Sequence, residues 1–162
     1  MITRTWAALV GLVAIATAAC AALGRGSGVR DDLTSDEALA RVHQIVDETA
    51  DAVLPGAPRQ PRVEDTVPRY CEEADIAPHV SHTWGVRIPL QDGQEPAELL
   101  SAVEAHWEDL GYDIDRRWVD DTHPELLGSA DGFTFRALAV PGSGRLVIDA
   151  NSPCVPNPEY PG

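Results

Sequence analysis

The chain has 162 residues, 12 cations that are all arginine, 26 carboxylates and a formal charge of −14 at pH 7. This acidity argues against a nucleic-acid binder, whose affinity comes largely from cations neutralising phosphate, and against a polybasic membrane patch. The lack of lysine removes Schiff-base chemistry and a P-loop lysine.

The leader comes first. "MITRT" carries one side-chain cation, Arg4, and "WAALVGLVAIATAA" follows as fourteen residues without charge. A charged start, an apolar run and small residues at 17–19 describe a secretory signal. Cys20 stands directly after them, as in a bacterial lipobox, where the cysteine behind the cut carries lipid such as diacylglycerol and palmitate. Thr17 departs from the pattern, because an apolar residue is usual there. Two other readings compete: plain cleavage after Ala-Thr-Ala at 16–18, or an uncleaved anchor, since Trp6 to Leu23 is eighteen apolar or small residues and just long enough to span. All three export the domain. Removal of 1–19 leaves 11 arginines against 26 carboxylates, a charge of −15, so attachment to a membrane falls to the lipid.

Residues 20–32 read as a lipidated cysteine and Gly-rich tether, and 33–154 as a single domain. "TSDEALARVHQIVDETADAVLPG" predicts a helix with a Thr34/Glu37 capping box. Leu39, Val42, Val46, Ala50 and Val53 form its apolar face, and Pro55-Gly56 stops it. His43 reads as a surface residue. The four prolines of 55–69 predict an irregular connection to Cys71. From His79 to Leu90, Val80, His82, Trp84, Val86 and Ile88 alternate with polar residues as in a half-buried strand. "EPAELLSAVEAHWEDLGY" predicts a second helix with Pro96 in its first turn. Leu99, Leu100, Val103, Trp107 and Leu110 lie on one face, and Gly111 follows the end. "YDIDRRWV", "GFTFRALAV" and "RLVIDAN" predict three further strands, the last two joined by "PGSG" at 141–144. The tail, 155–162, reads as loose.

The order α-β-α-β-β-β predicts an α+β fold, a two-layer sandwich with two helices on one face of a four-stranded, mainly antiparallel sheet. Cys71 and Cys154 are an even pair in an exported chain, so a disulfide between them is expected. Two free buried thiols are the alternative. With that bridge formed and Cys20 acylated, no thiol is left for catalysis.

Cys20, Cys71, "HWEDLGY" and "NSPC" together resemble small actinobacterial cell-surface lipoproteins, over most of residues 33–154. The resemblance implies a lipid-anchored, extracytoplasmic domain with one disulfide. It supplies no catalytic residue.

Chemistry is sparse. His79 and His82, three apart on a strand, point to opposite faces and cannot grip one ion. Asp121, His123 and Glu125 in "DTHPE" could converge in an extended loop, and are weighed as a weak metal or hydrolase site against a solvated loop. Zinc needs three or four ligands in defined geometry, and no second cluster completes this one. His106 reads as a boundary residue beside Trp107. Ser143 lies in a hairpin turn rather than a nucleophile elbow, and no carboxylate pair stands out for glycosidase chemistry. No cofactor is implied, and the expectation is a non-enzymatic envelope domain.

The sheet face away from the helices is expected to carry Thr83, Arg87, Asp113, Asp115, Arg117, Thr134, Arg136, Val147 and Asp149. It reads either as a solvated surface of cross-strand ion pairs or as a basic spot. In the second case Arg87 and Arg136 would meet an acidic protein or an anionic envelope polymer.

Overall fold

The computed structural model describes residues 28–62, 68–73, 76–120, 123–140 and 142–161. Cys20 and the leader lie outside them. Helix α1, Ser35–Val53, starts at the expected capping box. The Thr34 side chain accepts from the Glu37 N–H at 3.3 Å, and the Glu37 carboxylate accepts from the Thr34 N–H at 2.9 Å. Its buried stripe is Ala38, Val42, Ile45, Val46, Thr49 and Ala50. Leu39, expected inward, is exposed, because the stripe runs through Ala38 instead.

Helix α2, Pro96–Asp109, buries Leu99, Leu100, Val103 and Trp107. It closes with a complete Schellman pattern: Gly111 takes φ 73°, its N–H donates to Glu108 O, and the Tyr112 N–H donates to Trp107 O. Leu110, expected on the apolar face, sits in the cap beyond the last turn and is exposed.

The expected four-stranded sheet is larger. Six strands, β1 (Gln60–Pro61), β4 (Thr83–Pro89), β5 (Asp113–Asp120), β6 (His123–Ala130), β7 (Phe133–Val140) and β8 (Arg145–Asn151), form one sheet in the order β1-β4-β8-β7-β6-β5. Every pair in it is antiparallel. The strand–helix–strand unit is therefore split, since β8, β7 and β6 lie between β4 and β5. A second sheet, β2-β3-β9, is built from β2 (Arg69–Tyr70), β3 (His79–Ser81) and β9 (Val155–Pro156). The fold class is α+β, but the four-stranded detail is corrected.

Two of these differences have local causes. The run from His79 to Leu90 is two strands, because at His82 the chain passes from the small sheet to the large one. The sequence offers no strand at β6 and a loop at its start, since Pro124 and Gly128 suppress the usual strand signals. Flanking pairings override them, Leu126 facing Arg116 on one side and Ala137 on the other. β6 leads into β7 by a two-residue turn, Asp131-Gly132, both at positive φ, which is the backbone a type I′ hairpin requires.

The domain is also longer at both ends than expected. Val29 pairs with Cys154, and the Arg30 N–H donates to Cys154 O at 2.8 Å, so 29–32, expected in the tether, belong to the domain. The tail is not loose: Val155 is fully buried in β9, and the Asn157 N–H donates to Pro78 O. The Cys71–Cys154 disulfide is formed, with Cα atoms 6.2 Å apart.

Both helices pack on one face of the large sheet. Trp107 and Phe135 meet edge to face with centroids 4.8 Å apart. The buried indole N–H of Trp107 donates to Thr49 Oγ1 at 2.9 Å, and Thr49 in turn donates to Ile45 O. Phe135 lies over its cross-strand partner Gly128, where an added Cβ would sit 2.0 Å from the ring. Gly128→Ala should therefore drive the ring from its place and cost about 1–3 kcal/mol, as overpacking does. Urea unfolding checks this, and an unchanged midpoint would show that the ring gives way freely.

Candidate functional site: the outer face of the large sheet

The face turned away from the helices is defined by register. One row runs Arg87, Val147, Leu138, Glu125 and Arg117 from β4 to β5. The next runs Gly85, Asp149, Arg136, Leu127 and Asp115. Arg62, just past β1, adjoins this second row, its N–H donating to Gly85 O. Gly85 has no side chain, so the Arg62 guanidinium can cross it to reach Asp149.

Asp149 is the centre. It is only 5% exposed. Arg136 donates to its Oδ2 from Nη2 at 2.6 Å and from Nε at 3.1 Å, and Arg62 donates from Nη1 at 3.0 Å. Glu125 lies 3.6 Å from Arg136 Nε, with its side chain 13% exposed. Burial works against the Arg136 charge, but hydrogen bonds and attraction from Asp149, then Glu125, more than offset it and raise its basicity. Arg136 is thus matched within the face, and this cluster is more buried than a solvated array of surface pairs. Arg117, farther out, pairs with Asp115 at 2.6 Å in solvent. Arg87 is half-buried beside Val147, and it too has an interaction partner.

The other candidates are dispersed. Glu125 belongs to β6 and to Arg136, not to a loop. Asp121 and the His123 side chain lie outside the described residues. Among the described residues, no group of three or more His, Cys, Asp or Glu is placed to hold a metal ion. Ser143 sits exposed in the turn between β7 and β8. A shallow hollow of about 340 Å³ lies where the end of α1 meets the start of the α2 approach, lined by residues 53–58, Pro89, Gln91 and Gln94, none of them charged.

Three of the histidines take structural partners, while the buried Nε2 of His106 has none among the described residues. His79 approaches Glu72 at 2.8 Å and Asp31 at 3.6 Å. His43, expected at the surface, is half-buried and stacks on Trp84 with centroids 4.0 Å apart. His82 is buried at the junction between the sheets, 2.7 Å from Ser35 Oγ. Burial pulls its pKa below the usual 6.5, with Asp36 opposing. The native state therefore binds fewer protons there than the unfolded chain. Stability should fall as pH drops below about 6.5 and continue to fall until the native imidazole itself protonates. Urea midpoints between pH 7 and pH 5 should show this slope, and His82→Gln should flatten it. An equal slope in the variant would assign the effect elsewhere.

No protein-family model matches the chain, and no curated protein does. A solved structure does. The crystal structure of the putative lipoprotein LppA from Mycobacterium tuberculosis superposes with a TM-score of 0.50 over 82% of this chain and 80% of that one, at 12% identity. The likeness is one of fold. Among the described residues, no helix is long and apolar enough to cross a membrane.

Proposed function

We propose that this chain is a lipid-anchored, non-enzymatic envelope protein, acylated at Cys20 and held on the extracytoplasmic face of the cell membrane. Its α+β domain binds a protein or an anionic envelope polymer on the outer sheet face around Arg87 and Arg136. The observation that carries the reading is Cys20, placed behind an apolar run and small residues, in a chain whose other two cysteines are bridged. A bridge of that kind belongs to an oxidising compartment. The fold shared with LppA agrees with it.

The ligand face is favoured because both helices occupy the other side of the sheet. Leu127, Leu138 and Val147 lie half-buried among the arginines, with no helix of the described residues above them.

Mass spectrometry of the mature amino terminus should find a diacylglyceryl cysteine, and Cys20→Ala should release the domain from the membrane fraction. A mature protein that starts elsewhere without lipid refutes the anchor. For the ligand face, Arg87→Gln is the cleaner variant, because Arg136 also neutralises the buried Asp149. Recovery of crosslinked partners from cells should drop in Arg87→Gln, and binding should weaken with salt.

A further inference from the structure

Strand direction sorts the domain into two ends. At one end α1 begins beside His82, β8 finishes at Asn151, and the chain enters through Val29 and Arg30 against Cys154. The Arg30 guanidinium reaches the β6–β7 turn there, donating to Asp131 O at 3.0 Å. At the other end the Leu90 N–H meets Gly144 O, and the end of α1 meets Pro89 and Gln91.

Large apolar side chains stand exposed toward the end where the chain enters: Val29, Tyr70, Ile76 and Tyr160 at the small sheet, Leu110 just behind α2 and Leu39 in the second turn of α1. Four of them rim the small sheet. Val29 is 49% exposed beside Cys154, and Tyr70 is 46% exposed beside Cys71. Ile76, 50% exposed, precedes Ala77, whose carbonyl accepts from Asn157 Nδ2. Tyr160, 44% exposed, is tied back by its N–H to Asn157 O.

We propose that this end of the domain rests on the lipid bilayer, with Tyr70, Ile76 and Tyr160 seated among the headgroups. The proposal rests on Cys20 as the membrane attachment. Only seven residues, 21–27, separate Cys20 from the first described residue. Such a length reaches about 15 Å as a flexible chain and about 25 Å fully extended. The entry end is therefore the end held at the surface, and the uncharged hollow faces away from it. Tyrosine suits that level, since its ring is apolar and its hydroxyl stays wet. Asp31, Asp32, Glu72, Glu73 and Glu159 are exposed at the same end, so attraction to anionic lipid is not the driving term. The tether supplies the local concentration that a small apolar rim needs.

The test uses the mature chain 20–162 without natural lipid. Cys20 is its remaining thiol once Cys71 and Cys154 are bridged, so it can be coupled to a maleimide phospholipid in phosphatidylcholine vesicles. Hydroxyl-radical footprinting then compares the coupled chain with the same chain uncoupled beside identical vesicles. Coupling should reduce labelling of Tyr70, Ile76 and Tyr160 by about threefold or more, as burial at headgroup depth implies. Labelling of the exposed residues of 55–58 should not change. Equal labelling in both samples overturns the proposal. So does protection that grows with protein density on the vesicle, which would mark a contact between copies. The synthetic anchor makes this result independent of natural lipidation, which the mass of the mature amino terminus decides separately.

Discussion

Replacing Cys71 and Cys154 together by serine should destabilise the domain by about 2–5 kcal/mol, the usual range for a native bridge of this kind. The bridge joins residues 83 apart. In the unfolded chain it removes the freedom of a long loop, and the chain-entropy account sets its upper contribution at roughly 4–5 kcal/mol. In the native domain it has a second, local effect. It ties Cys71, directly behind β2, to Cys154, on which Val29 and Arg30 dock and from which β9 continues. The small sheet has short strands and few partners, so it should open before the large one. Thermal melts of the variant should therefore shift down. Hydrogen exchange should rise first at 28–31, 69–73 and 155–157, while β7 and β8 keep their protection. Uniform exchange across both sheets would mean that the bridge acts only on the unfolded chain.

Asp149→Ala should cost about 3 kcal/mol, the lower end of the range for removing one partner of a buried charge cluster. The Asp149 side chain is 7% exposed and serves two cations, Arg136 and Arg62. Without it, both guanidiniums lose the carboxylate they share, while Glu125 stays beside Arg136. The lower end applies because the Arg62 and Arg136 side chains are 21% and 36% exposed and can recover some water. Asp149→Asn separates charge from hydrogen bonding, since it keeps the acceptor. It should lose less than the alanine variant. Chemical denaturation of both reads the difference, and two variants as stable as the parent would reduce the cluster to a surface ornament. This prediction also bears on function, because Arg136 belongs to the proposed ligand face.

The two helices were legible from local signals that tertiary contacts did not need to supply. Thr34 and Glu37 cap α1, Pro96 opens α2 and Gly111 ends it, each through backbone geometry that those residue types favour. Strands β7 and β8 were legible because Phe133, Phe135, Ala137, Leu146, Ile148 and Ala150 alternate cleanly and are buried as expected. β6 was not, because "HPELLGSA" has neither clean alternation nor strand-forming residues, and its pairing on both sides holds it extended. The Asp131-Gly132 turn was a readable hairpin signal that would have exposed it. β1, β2 and β9 have two residues each, too few for any period to register.

The candidate site divides in the same way. Alternation along single strands placed Arg87, Arg136 and Asp149 on one face, because side-chain direction in a strand follows from residue spacing alone. Pairing of Cys71 with Cys154 followed from count and compartment. What those residues do to one another was decided by strand order. Only the adjacency of β1, β4, β8 and β7 brings Asp149 between Arg62 and Arg136, and no local pattern encodes which strands become neighbours. The exposed apolar rim has the same origin. Val29, Tyr70 with Ile76, and Tyr160 come from three separate stretches of the chain, and they meet at one end because the disulfide and the small sheet gather distant segments beside the entry point.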